Sequence, residues 1–220
     1  MGYGINILVE GDYALFSRAE LKTERFSYST ITPSAARGII SAVYWKPQIQ
    51  YKINKIHVYN DIEFTNIRRN EVSEKASAQD AKKMMKNSPS AKGYIDTTKV
   101  IQQRAATVLK NVKYIIEFEF QMTGIESDES DTPAKHYNML LRRLRKGQCF
   151  HMPYLGTREF PAKVTLVEDD ILESKLTGER DLGIMLYDID YSDPGNLVPE
   201  FFHAVMKDGV IDLTDVKKVR

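Results

Sequence analysis

The chain is short of the residues from which many sites are built. Its 220 residues include a single cysteine, Cys149, and four histidines. One cysteine closes no internal disulfide and builds no cysteine cluster for zinc, so a reducing cytoplasm is the expected setting. His57, His151 and His203 show no metal spacing such as HxxxH and read as structural; no metal and no cofactor is expected. No run of about 18 apolar residues exists, so no membrane contact is expected. The opening Met1-Gly2-Tyr3-Gly4 has no charged segment and no long apolar stretch, and does not read as a signal peptide. Neither sign of charge dominates: 31 basic against 30 acidic side chains leave a net charge of +1, which argues neither for nor against nucleic acid. GxGxxG, GxxxxGKS/T and GxSxG are all absent, which removes the usual signatures of dinucleotide, P-loop and hydrolase sites.

What is present is ample core and clear punctuation. Hydrophobic residues make up 42% of the chain, enough for one large domain with a smaller appendage. Gly4–Glu10 reads as a first strand ending at Gly11-Asp12. Thr32-Pro33 reads as a helix start, with Thr as N-cap and Pro at the first helical position. Ala36, Ile39, Ile40 and Val43 follow at helical spacing, and Pro47 is expected to stop the helix. Tyr51–Tyr59 is β-rich, with an irregularity near Asn54-Lys55. In Val112–Thr123, Val112, Tyr114, Ile116, Phe118, Phe120 and Met122 alternate with mostly polar residues, as in a strand with one buried face. After an acidic turn, Glu126–Asp131, Thr132-Pro133 repeats the helix start. Tyr137, Leu140, Leu141 and Leu144 form the expected apolar face, closed by Gly147. Val164–Val167, Gly183–Tyr191 and Val210–Leu213 are further strands.

Residues 71–103 are rich in Lys, Ser, Ala, Gln and Asp, and read as an exposed, partly helical, mobile insertion. No internal repeat is apparent. The order is β-α-β-β-α-β, so the expected fold class is α+β. It comprises a ferredoxin-like domain over residues 1–168 and a small antiparallel β domain over 169–220. In that topology the two helices run antiparallel on one face. The end of the first helix, Tyr44-Trp45-Lys46-Pro47, then lies near the start of the second, Lys135-His136.

Three groups able to donate or shuttle protons thus meet at a helix N-terminus, a place that attracts phosphate. The chemistry that fits is metal-independent RNA cleavage, in which the 2′-hydroxyl attacks phosphorus and leaves a 2′,3′-cyclic phosphate. His136 titrates near neutral pH and is the natural acid–base group. Lys135 would stabilise charge on the phosphorane. Tyr44 is a poor base at its ordinary pKa and would orient the reactants. The bland alternative is a core tyrosine beside an ordinary exposed first turn, since neither pattern is specific alone.

Three blocks carry a resemblance: GDYALFSRAELKTERFSYSTITPSAARGIISAVYWKP at 11–47, FTNIRRNEV at 64–72, and KHYNMLLRRLRKGQCFHMPYLGTREFPA at 135–162. Together they resemble the fifth Cas family of CRISPR systems, in its subtype I-C (Dvulg) form. The resemblance implies a RAMP-type domain with a small β-rich C-terminal domain. It implies an endoribonuclease that cuts precursor CRISPR RNA at the base of the repeat hairpin, without metal, and stays on the 5′ handle. It also implies type I-C surveillance-complex subunits as partners, and DNA within that complex. The family's catalytic tyrosine falls on Tyr44 and its Lys-His pair on Lys135 and His136. Arg37, Lys46, Arg68 and Arg69 are candidate RNA-backbone contacts by charge and by their place in these blocks. Arg142, Arg143, Arg145 and Lys146 lie on different sides of their helix and cannot all face RNA. The competing reading is a non-catalytic scaffold that caps the 5′ end of the CRISPR RNA. A general nucleic-acid binder is a third, disfavoured by the balanced charge.

Overall fold

Two helices that begin alike, with Thr-Pro, set the frame for the site. In both, the threonine hydroxyl accepts from the backbone three residues on: Thr32 from the Ala35 N–H at 3.1 Å and Thr132 from the Lys135 N–H at 3.3 Å. Each cap contributes about 1 kcal/mol. The computed structural model describes residues 4–21, 24–86, 93–125, 131–171, 173–191, 193 and 195–219. In chain order the elements are β1 (Ile5–Ala14), β2 (Arg25–Phe26), α1 (Pro33–Val43), β3 (Ile49–Val58), β4 (Phe64–Val72), α2 (Ala78–Met85) and α3 (Thr97–Val100). They continue as β5 (Ile101–Met122), α4 (Pro133–Arg145), β6 (Lys163–Val167), β7 (Glu179–Asp190), β8 (Val198–Lys207), β9 (Val210–Asp212) and β10 (Lys218–Val219). The chain is mixed α and β, dominated by a large antiparallel sheet.

The chain divides into two compact units, Met1–Thr65 with Thr107–Arg220, and Asn66–Ala106. In the larger one the strand order is β10-β8-β9-β3-β5-β1-β6, with β2 beside β5 and β7 beside β8. Ile7 of β1, Ile116 of β5 and Ile56 of β3 lie in register across three strands, and all are buried. Burying each such side chain contributes roughly 1.5–3 kcal/mol. Ala36, Ile39, Ile40 and Val43 of α1 and Leu140 and Leu144 of α4 are also buried. Helix α1 packs on β3, α4 packs on β6, and the two helices touch. The segment after residue 168 joins the same sheet, because β9 pairs with β3 through Ile211 and Ile56. In the smaller unit, α2 and α3 bury no residue.

The irregularity in β3 falls between Ile53 and Lys55, where the spacing put it. Strand β1 does not end at Gly11-Asp12. Its ladder to β5 continues through Gly11↔Val112 and Tyr13↔Lys110, and cross-strand pairing outweighs the local turn preference. Gly11 serves close packing instead, since a Cβ there would overlap the Leu155 side chain. Strand β5 likewise starts at Ile101, well before the expected Val112.

Gly156 lies in the loop between α4 and β6 with φ +83°, and a Cβ would overlap the Leu15 carbonyl oxygen. Gly156→Ala is expected to destabilise by at least about 1–3 kcal/mol. For a chain of this size that lowers the melting temperature by about 2–4 °C per kcal/mol. A thermal melt of the variant checks it, and an unchanged midpoint would mean the loop shifts without cost.

Candidate active site

Tyr44 closes α1. Its backbone is extended (φ −150°, ψ 126°), and its N–H donates to the Ile40 carbonyl. The helix therefore stops at Val43, three residues earlier than if Pro47 ended it, because Tyr44 leaves helical geometry. The side chain is buried, 2% exposed; two contacts hold the backbone around it and two hold the ring and its hydroxyl. The Tyr51 hydroxyl donates to the Tyr44 carbonyl at 2.7 Å. Arg143 Nη1 donates to the Val43 carbonyl at 2.8 Å. The Arg143 guanidinium lies over the Tyr44 ring, 5.1 Å from its centre. The phenol oxygen lies 2.8 Å from His136 Nδ1. The end of the first helix and the start of the second do meet.

His136 is not an exposed first-turn residue. It is 1% exposed and lies in line with the buried Leu140 and Leu144, at steps of four. Of the expected apolar face, Leu140 and Leu144 are buried while Tyr137 and Leu141 are half-buried, because a histidine with a buried partner takes the core position in the first turn. Its Nε2 is also buried and has no hydrogen-bond partner among the described residues. The nearest acid among the described residues is Asp131, with Oδ1 3.9 Å from Nε2. Asp131 is itself paired with Lys135, Oδ1 to Nζ at 2.9 Å.

Charge and burial set the protonation of this cluster. Desolvation pushes His136 below its ordinary value of 6.5; Asp131 opposes the shift, while Lys135 and Lys46 add to it. Desolvation, then the Asp131 charge, raises the Tyr44 phenol above 10, against the pull of Arg143 and Lys135. The Lys135 hydrogen bond holds Asp131 below the usual carboxylate value. At neutral pH the cluster is a neutral imidazole, a neutral phenol, a carboxylate and an ammonium.

Of the candidate RNA contacts, Lys46 is exposed and close enough to act on His136 and Asp131. Arg37 is engaged elsewhere, with Nη2 2.6 Å from Asp188 Oδ1. That pair lines a cavity of about 290 Å³ together with Tyr51, Lys52, Tyr187 and Lys218. Arg68 and Arg69 are neighbours on β4, so they face opposite sides of that strand. Arg145 holds Glu168 at 2.6 Å. Two residues of the cluster escaped the sequence reading. The Asp131–Lys135 spacing of four carried a signal for the first. Nothing local singled out Arg143 among its basic neighbours.

Among the described residues no group of three or more His, Cys, Asp or Glu side chains is arranged to hold a metal. No described helix is long and apolar enough to cross a membrane. The family model described as CRISPR-associated protein (Cas_Cas5), in its Cas5d form, matches residues 4–214. The chain belongs to the Cas5d family. A relative from Mannheimia succiniciproducens, named CRISPR pre-crRNA endoribonuclease Cas5d, is 46% identical over 97% of this chain and 96% of its own. A Thermus thermophilus Cas5d with the same name is 34% identical, over 95% of this chain and 90% of its own. A solved structure of a CRISPR-associated protein superposes with a TM-score of 0.68 at 27% identity, covering 96% of this chain and 92% of that one.

Proposed function

We propose that this Cas5d chain is a metal-independent pre-crRNA endoribonuclease. It cleaves within the repeat hairpin and remains on the 5′ handle in a type I-C surveillance complex, beside other subunits and the DNA held there. The observation that carries this reading is the buried Tyr44–His136 hydrogen bond at the first turn of α4, with Lys135 beside it. The 46% identical relative is named for this activity. The order β3-β5-β1-β6, covered by α1 and α4, supports a ferredoxin-like domain over 1–168, with β7–β10 as a small C-terminal domain over 169–220.

In the proposed reaction His136 takes the 2′-hydroxyl proton at Nε2 as the O2′–P bond forms. The P–O5′ bond then breaks, the imidazolium returns the proton to O5′, and a 2′,3′-cyclic phosphate remains. This requires the tautomer in which Nδ1–H donates to the Tyr44 oxygen, leaving the Nε2 lone pair free to accept a proton. Tyr44, kept a phenol by its raised pKa, orients the imidazole and offers its own proton to a phosphate oxygen. Lys135 balances charge on the phosphorane. The Asp131 carboxylate already lies where an anion meets both Lys135 and His136, so the scissile phosphate takes its place there.

The base form of His136 sets the acid limb of the pH profile. Its pKa is lowered, so the neutral form persists below pH 6.5. The acid limb of kcat/KM, which reports the free enzyme, is expected below pH 6.5. By the same sign, the stability from burying neutral His136 is full above 6.5 and is lost as pH falls through the lower folded value. A profile breaking above pH 6.5 would remove His136 as the base.

The direct test incubates the protein with its repeat RNA in EDTA, beside an RNA carrying a 2′-deoxy nucleotide at the mapped cut. Cleavage of the first alone is expected. Binding of both without cleavage of either would favour the capping scaffold. Cleavage of the 2′-deoxy RNA would rule out attack by the 2′-hydroxyl.

A further inference from the structure

We infer that Arg143 is the positioning residue of the Tyr44–His136 pair, a role that rests on the cleavage reading above. Arg143 and His136 are seven residues apart on α4, two turns, and so share one side of the helix about 10.5 Å apart along its axis. Tyr44 fits between them. His136 meets its hydroxyl at 2.8 Å, and the Arg143 guanidinium covers its ring at 5.1 Å. Arg143 also donates to the Val43 carbonyl at 2.8 Å, an oxygen the end of α1 leaves without a helical partner. One planar cation therefore fixes both the peptide entering Tyr44 and the tilt of its ring. Its charge draws on the ring electrons and opposes the rise in the phenol pKa that burial causes.

The alternative roles for this arginine are an RNA contact or a plain helix cap. One Arg143 donor is committed to Val43, and its guanidinium face lies on Tyr44 in the absence of RNA. A plain cap would require only the carbonyl bond. The ring contact is what ties Arg143 to the chemistry. Lysine cannot replace it, because an ammonium has no plane to lie on the ring while bonding the carbonyl.

The test is a double-mutant cycle on single-turnover cleavage of saturating repeat RNA, using Arg143→Gln, Tyr44→Phe and the pair, all measured below their melting temperatures. Arg143→Gln is expected to slow cleavage about 100-fold, the cost of a small misplacement. Added to Tyr44→Phe, it should cost little more, because it acts through that residue. Affinity for the uncleavable 2′-deoxy RNA should hold, and Arg143→Lys should recover little of the rate. Losses that multiply in the pair, or an affinity that falls in step with the rate, would overturn the proposal. A second readout needs no RNA: Arg143→Gln should move the His136 imidazole resonances and leave those of His57 and His203 in place. Unmoved His136 resonances would also overturn it. If Tyr44→Phe cleaves at the native rate, the catalytic reading of Tyr44 fails, while the resonances still decide whether Arg143 positions the pair.

Discussion

Replacing His136 by alanine is expected to slow repeat cleavage by about 10²–10⁴-fold, the usual worth of a positioned acid–base group. Binding of a 2′-deoxy hairpin should be nearly unchanged, because the buried Nε2 meets the RNA at a single atom and adds little to the area that holds the hairpin. The substitution also empties a core position and strands the Tyr44 hydroxyl, at a cost of roughly 1–3 kcal/mol. Cleavage and melting should therefore be measured together, with His136→Asn as the less disruptive companion. Native cleavage by a folded His136→Ala protein would take His136 out of the reaction. Equal losses of cleavage and hairpin affinity would make it a binding residue.

Lys135→Ala and Asp131→Asn should separate from each other, although they remove two halves of one ion pair. On the proposed mechanism, loss of Lys135 removes the charge that balances the phosphorane, and it is expected to cost about 10²–10³-fold in rate. Loss of the Asp131 charge removes the anion that competes with phosphate for Lys135. It also removes the group that holds the His136 pKa up, so the acid limb should move to still lower pH. Asp131→Asn is thus expected to keep cleaving and to bind repeat RNA more tightly, most visibly at low salt. Rates and affinities of the two variants, measured across pH and salt, check this. An Asp131→Asn protein as slow as Lys135→Ala would mean that the carboxylate takes part in the reaction.

Local chemistry made part of this molecule readable. The two Thr-Pro starts declare themselves through the cap hydroxyl and the fixed proline φ, with no help from the rest of the chain. The alternation from Val112 to Met122 shows a strand because only one face is apolar. Partners distant in sequence decided the rest. Strand β1 runs through Gly11-Asp12 because Val112 and Lys110 lie opposite. Strand β8, with Pro199 near its start, is held by β7, whose pairing carries two irregularities. At the site, proximity of Tyr44 to Lys135-His136 followed from topology and from the family resemblance. The burial of His136 did not, because a histidine among charged neighbours gives no hydrophobic signal. Arg143 was harder still, since what defines it is a carbonyl 100 residues earlier.

That burial has a consequence for how the protein fails. His136, Leu140 and Leu144 form one row, so the imidazole belongs to the packing that joins α4 to α1 and the sheet. Close-packed interiors yield as units. The buried Tyr44–His136 pair is expected to hold while the domain stays folded and to be lost in a loosened globule that keeps only secondary structure. If the pair carries the reaction, cleavage is expected to disappear with cooperative melting and to leave no active half-ordered state.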